Sequence, residues 1–295
     1  MAFYYEFGIH QWIVYSVTFI YLLIASISDL RTREVYDWLN YGAVASGLGI
    51  NLIFTLANFD YMFAFKSLLG FGVFFVIAYA LFYTGQWGGG DSKSIMALGA
   101  LLGPFTLNGI PFLFPFVINI AIAGGIYGLV WSVVLAFLNW GKIHQEIKKK
   151  FSSKKFFIAR VAIIILAFIS IIIQFTEIGS LLKLAVFGVF IALTLTSYIS
   201  VFISSVEKEC MHKKISPSQL TEGDWITKDI YVNRKYVCGP KDLGISKKQI
   251  ALLKKYHSEG KIKDIPMKIG IPFIPSFLLA FLATIIYGNL LLKLF

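Results

Sequence analysis

Along this chain, apolar runs of about twenty residues alternate with short polar connections. One bilayer crossing takes roughly 20 apolar residues. On that spacing the runs predict eight membrane helices, near 8–28, 38–57, 66–85, 92–108, 110–138, 157–175, 180–204 and 272–293. The fourth is short and contains Gly99, Gly103 and Pro104, while 94–138 spans 45 residues and is too long for one crossing. One interval breaks the alternation: 205–268 is long and polar enough to fold outside the bilayer. Within it, WITKDIYVN and RKYVCGP predict two short strands around a turn. ISKKQIALLKKYHSEG predicts a helix with Ser246 as N-cap and Gly260 beyond its end. The pattern divides the chain into a membrane core (1–140), a basic loop and helix hairpin (141–204), an α+β domain (205–268) and a C-terminal helix (269–295). The expected class is therefore an all-α polytopic membrane protein with a small α+β domain before its last helix.

Composition reinforces that class. Of 295 residues 57% are hydrophobic and 15% charged, with a mean hydropathy of +0.74; a water-soluble domain could not hide so much apolar surface. The opening MAFYYEFGIH has no basic n-region, so the first run is expected to be a retained helix and not a cleaved signal. Cys210 and Cys238 lie 28 residues apart without paired CxxC spacing. A structural zinc site takes four ligands, so neither a zinc domain nor any other cofactor is expected, and the two thiols read as inert.

The net charge of +11 gains meaning from where it falls. Segment 141–160 carries seven Lys/Arg and one Glu, and 205–268 carries fourteen Lys/Arg and eight Asp/Glu, a net of +6 each. The turns at 58–65 and 176–179 hold Asp60 and Glu177 and no basic residue. Lys and Arg concentrate on cytoplasmic loops, which puts the two basic segments inside, together with the loops at 29–37 and 84–93. Arg31, Arg33 and Lys93 agree with that sidedness. Orientation and attraction to the bilayer account for the charge, so no nucleic-acid partner is expected.

This topology brings two acids to one face. Asp29 closes the first helix and Asp91, at the end of TGQWGGGDSK, opens the fourth, 62 residues later. Ionisable groups at such depth are costly and mark function. Taken singly, Asp91 also fits a helix N-cap and Asp29 a juxtamembrane acid; their joint placement favours chemistry. Two carboxyls at close range share a proton. One then takes a proton from water while the other donates to a carbonyl oxygen. Gly88, Gly89 and Gly90 can take positive φ and leave no side chain to block a substrate backbone, a bare strip on which an extended peptide could pair. Lys93 is placed either to neutralise Asp91 or to hold a substrate carbonyl, and Glu34 and Asp37 could attract a basic stretch of substrate. Gly99/Gly103 and Gly124/Gly128 read as close-packing faces between helices.

With those residues in view the chain resembles a known family. GGGD at 88–91 matches the GxGD signature of intramembrane aspartyl proteases, and DLRTREVYDW at 29–38 is similar to the D-x-R-x-R segment of type IV prepilin peptidases. GIPFIPSFLLAF at 270–281 is similar to the end of archaeal preflagellin and prepilin peptidases. The resemblance implies a six-helix GxGD core, here with an inserted hairpin at about 157–204. It also implies Asp29 and Asp91 as the catalytic pair. The implied reaction removes short class III signal peptides from pilin or archaellin precursors at the cytoplasmic membrane face. Such precursors carry a basic leader followed by an apolar helix. The bacterial four-cysteine loop is absent, so the N-methyltransferase activity of that branch is not implied. A presenilin-like protease cutting within the membrane and a proton- or cation-coupled transporter are the alternative readings.

Overall fold

The computed structural model describes residues 8–107 and 109–293; the N-terminal residues read above as lacking a basic region lie outside them. Among the described residues six helices are long and apolar enough to cross a membrane: α1 (Ile9–Thr32), α2 (Asp37–Asn58), α3 (Met62–Tyr83), α5 (Leu113–Leu138), α7 (Lys154–Gln174) and α8 (Ser180–Val206), the last running on through a π-helical turn to Met211. The protein is thus a multi-pass membrane protein. The other two expected crossings are only 14 residues each, α4 (Gly89–Leu102) and α10 (Ile274–Tyr287). That is about 21 Å of helix against the ~30 Å of a bilayer core, so eight full-length spans are not reached. The fourth stops early because Pro104 has no N–H to continue the ladder. The chain then reverses through a two-stranded hairpin, β1 (Thr106–Leu107) on β2 (Ile110–Pro111).

The segment expected as a basic loop at 141–160 holds a helix, α6 (Trp140–Phe151). Its apolar residues recur at helical spacing, and the lysines between them had masked the period. Beyond α8 come β3 (His212–Ile215), β4 (Trp225–Ile226), β5 (Ile230–Val232), β6 (Lys235–Cys238), α9 (Lys247–Ser258) and β7 (Ile265–Lys268). The expected hairpin forms between β5 and β6, turning at Asn233 and Arg234 with φ of 50° and 63°. The first part of the WITKDIYVN stretch instead pairs away from it, β4 against β7. Ser246 caps α9 as its sequence required, and Gln249 completes the capping box.

Contacts divide the chain into two units, 1–128 with 215–295, and 129–214. In the first, α4 lies at the centre, buried from Ala97 to Leu102 on every side. An apolar helix buried all round is a core helix. Because lipid tails are as apolar as leucine, helices in a bilayer associate through close packing and interhelical hydrogen bonds, and both are present. A Cβ on Gly70 of α3 would collide with the Gly99 carbonyl of α4, and one on Gly47 of α2 would come within 2.8 Å of the Ala100 and Leu101 backbone. The other expected face is only half used: Gly124 packs on the Phe273 ring, while a Cβ on Gly128 would meet open space. At the end of the bundle far from Asp29, His10 of α1 bonds Asn51 of α2 at 2.7 Å. Asn51 in turn donates to Ser67 of α3 and to the Ala100 carbonyl of α4. One side chain thereby joins all four helices.

In the same unit α9 and the short strands enclose an apolar cluster built on Ile226, Val237, Leu253 and Ile265. Cys238 is buried there, and burial pushes its thiol up to about 11, so it stays protonated at neutral pH.

Candidate active site

The C-terminal end of α1, the N-terminal end of α4 and the start of α10 converge. Asp29, on the last turn of α1, is buried at 5% exposure. Its Oδ2 accepts the Ile274 amide at 2.9 Å, and the Phe273 amide lies beside the same carboxyl. Both amides come from the beginning of α10, where a helix offers N–H groups without internal partners. Asp91 stands in the first turn of α4, half-buried, where the helix dipole favours an acid. Its carboxyl lies beside Gly88, where a Cβ would sit 3.5 Å from Oδ2, and the N-cap residue is Gly88 and not Asp91. Since α1 and α4 pack directly on each other, Asp91 lies within reach of the Asp29 charge.

The glycines behave differently from expectation. Gly88 is extended at φ −71°, ψ 165°, and Gly89 and Gly90 form the first turn of α4. The left-handed residue is Gly85, at φ +70°. From Gly89 onward the strip is therefore helical. Gly90 instead faces the backbone of Val35, where a Cβ would sit 3.5 Å from the Val35 nitrogen.

Lys93 does not turn to Asp91. Its ammonium pairs with Asp37 and lies 5.6 Å from the centre of the Tyr41 ring, so the expected substrate contacts at 93 and 37 neutralise each other. Glu34 remains half-buried in the connection between α1 and α2. Its carbonyl is held by the Ser28 and Thr32 hydroxyls, and its side chain lies within electrostatic reach of Asp224. Burial pushes the Asp224 carboxyl up, the Thr221 amide opposes this, and the Glu34 charge adds to the rise. Trp225, next in the chain, would lie 3.3 Å from a Cβ at Gly85. The α+β part of the unit thus leans on both loops that carry the aspartates. Arg33 ties the same corner together by donating to the Gly270 carbonyl.

A polar network behind the aspartates escaped sequence reading. The Tyr21 hydroxyl of α1 and the Ser94 hydroxyl of α4 both donate to Asn40 Oδ1 of α2, at 2.7 and 3.0 Å, and all three side chains are buried. Two of them carried a signal: Asn40 and Ser94 each follow an acid, Asp37 and Asp91, by three residues, one turn along an apolar helix. Replacing Asn40 by Ala strands the buried Tyr21 hydroxyl, whereas Ser94 keeps the Gly90 carbonyl as an acceptor at 3.0 Å. The replacement is expected to destabilise the protein by ~1–3 kcal/mol, whereas the triple change Tyr21→Phe, Asn40→Ala, Ser94→Ala recovers part of that loss. Thermal denaturation in detergent reads both. Among the described residues no three His, Cys, Asp or Glu side chains form a group that could hold a metal ion.

Comparison with known proteins meets this geometry. Residues 16–129 match the profile of the type IV leader peptidase family, a stretch that contains both aspartates and the Asn40 network. A preflagellin peptidase of Methanocaldococcus jannaschii is 40% identical over 86 residues, 29% of this chain and 36% of that protein. One of Methanococcus voltae is 39% identical over 92 residues, covering 30% and 38%. One of Methanococcus maripaludis is 34% identical over 86 residues, covering 29% and 37%. The aligned region therefore spans little more than a third of each relative's length.

Proposed function

We propose, from the premise that residues 16–129 belong to the type IV leader peptidase family, that this protein is a membrane aspartic endopeptidase removing leader peptides from archaellin- or pilin-like precursors. The observation that supports the reading is that Asp91, at the start of α4, lies within reach of the charge of Asp29, which is held at the end of α1 by the Ile274 amide. Two such carboxyls hold one proton between them. The ionised member takes a proton from water as its oxygen attacks the scissile carbonyl carbon, and the protonated member donates to the carbonyl oxygen. The tetrahedral species then collapses, the C–N bond breaks, and the nitrogen leaves as an amine with the proton taken from water.

The substrate follows from where the pair sits. The aspartates lie at helix ends, so the bond to be cut belongs at the border between a precursor's leader and its apolar helix. The first turn of that helix unwinds at low cost because its amides lack partners. The charge bias of the loops puts this border on the cytoplasmic side. Glu34, with Asp224 beside it, attracts a basic leader, whereas Asp37 is already neutralised by Lys93.

The test is incubation of the purified protein with a pilin-type precursor, followed by N-terminal sequencing of the product. Cleavage just before the apolar stretch is expected. A product cut inside the apolar stretch would move the protein to the presenilin-like kind, and no product from any of a panel of such precursors would refute the peptidase reading.

A further inference from the structure

The second unit (129–214) contains a groove that the peptidase reading does not use. It is open, about 710 Å³, and lies between α6 and the first turns of α7. From α6 come Trp140, His144, Ile147 and Lys148, and from α7 Phe157 and Arg160. The α6 residues fall at i, i+4, i+7 and i+8, one stripe of the helix, and those of α7 are one turn apart. The groove is thus lined by two facing stripes, each pairing aromatic or aliphatic surface with a cation. The single acid of 141–160, Glu146, projects from another side of α6 and is held by Lys208 at 2.7 Å. Lys150, likewise off the stripe, bonds Ser204 at 2.7 Å. The groove is therefore cationic, with no carboxylate in its lining.

Its depth in the chain is informative. The helix α6 connects two membrane spans, α5 and α7, and is amphipathic and basic, the form of a helix lying in a membrane interface. Arg160 stands six residues inside α7, about 9 Å of rise from its start, amid the exposed apolar side chains Phe157, Ile158 and Val161. A guanidinium at that level meets the phosphate layer of a bilayer, and its planar fork matches a phosphate in bidentate fashion.

We propose that this groove binds an anionic phospholipid, the phosphodiester received by Arg160, Lys148 and His144 and the upper acyl chain laid against Trp140, Ile147 and Phe157. Charge complementarity selects the occupant: the cations stand beside apolar surface, which a soluble phosphate would leave uncovered, and a zwitterionic lipid brings a positive group of its own.

The full-length protein in detergent, titrated with phosphatidylglycerol or phosphatidylcholine of identical acyl chains and read by native mass spectrometry, tests this. Phosphatidylglycerol is expected to be retained at least tenfold better. The pair Lys148→Gln with Arg160→Gln is expected to lower that retention more than tenfold, at about fivefold per lost charge. Lys148→Gln alone, at an exposed side chain, is expected to lower it about fivefold. Lys154→Gln with Lys155→Gln removes the same charge from the same segment but outside the groove, and is expected to leave retention unchanged. Equal losses in the two double variants would overturn the groove in favour of diffuse attraction, and equal retention of the two lipids would overturn it outright. Displacement of bound phosphatidylglycerol by millimolar inorganic phosphate would show a headgroup-only site and refute the acyl contact.

Discussion

Asp29→Asn and Asp91→Asn are each expected to reduce precursor cleavage by roughly 10²–10⁴-fold, the contribution of a positioned acid or base, while the protein still folds. The two amides were chosen for what they preserve. Asparagine at 29 keeps an oxygen to accept the Ile274 amide, as Asp29 does at 2.9 Å, and asparagine at 91 keeps the size and shape of the side chain beside Gly88. Neither introduces a new volume into the corner where α1, α4 and α10 meet. What each removes is the capacity to exchange a proton. Single-turnover cleavage of a pilin-type precursor by purified variants, with thermal denaturation alongside, separates the two effects. A tenth or more of the normal rate in either variant would show that its carboxyl does not take part in the chemistry.

The second large effect belongs to packing. Gly70→Leu places four carbons where the Gly99 carbonyl and the Gly103 Cα already lie. Backbone cannot yield as a flexible side chain does, so the change is expected at or beyond the ~3 kcal/mol upper end of overpacking costs, with loss of folded protein from the membrane. Gly72→Leu, two residues along the same helix, meets nothing within 4 Å. It is expected to fold normally, because leucine is also the better helix former by close to 1 kcal/mol. Folded yield by size-exclusion chromatography in detergent distinguishes them. Equal yields would mean that α3 and α4 are not held at backbone contact.

Much of this was legible before any coordinates. Six apolar runs gave helices within a few residues of their predicted ends, because a bilayer-length run leaves few alternatives. Asp29 and Asp91 stood out by charge in an apolar setting, and the cap at Ser246 by its chemistry. What the chain concealed has physical reasons. Lysines at 148–150 hid the apolar period of α6, since a charge run reads as a loop when its helical face is ignored. The pairing of Lys93 with Asp37 depends on the approach of α2 and α4, which no spacing within either helix reveals. Tyr21 is one aromatic among many, and only its bond to Asn40 marks it. The glycines before Asp91 were read as strand-like because glycine permits almost any backbone; the left-handed residue proved to be Gly85, where the chain turns before α4.

The amide clasp on Asp29 has a bearing on the order of events during synthesis. Both acids are in place once the first third of the polypeptide has been made, yet Ile274, which holds one of them, is still some 180 residues away. At ~5–20 residues per second the ribosome needs roughly ten to forty seconds to reach it. For that interval the half-made chain sits in the membrane with Asp29 unheld, and the clasp closes only when the last helix arrives.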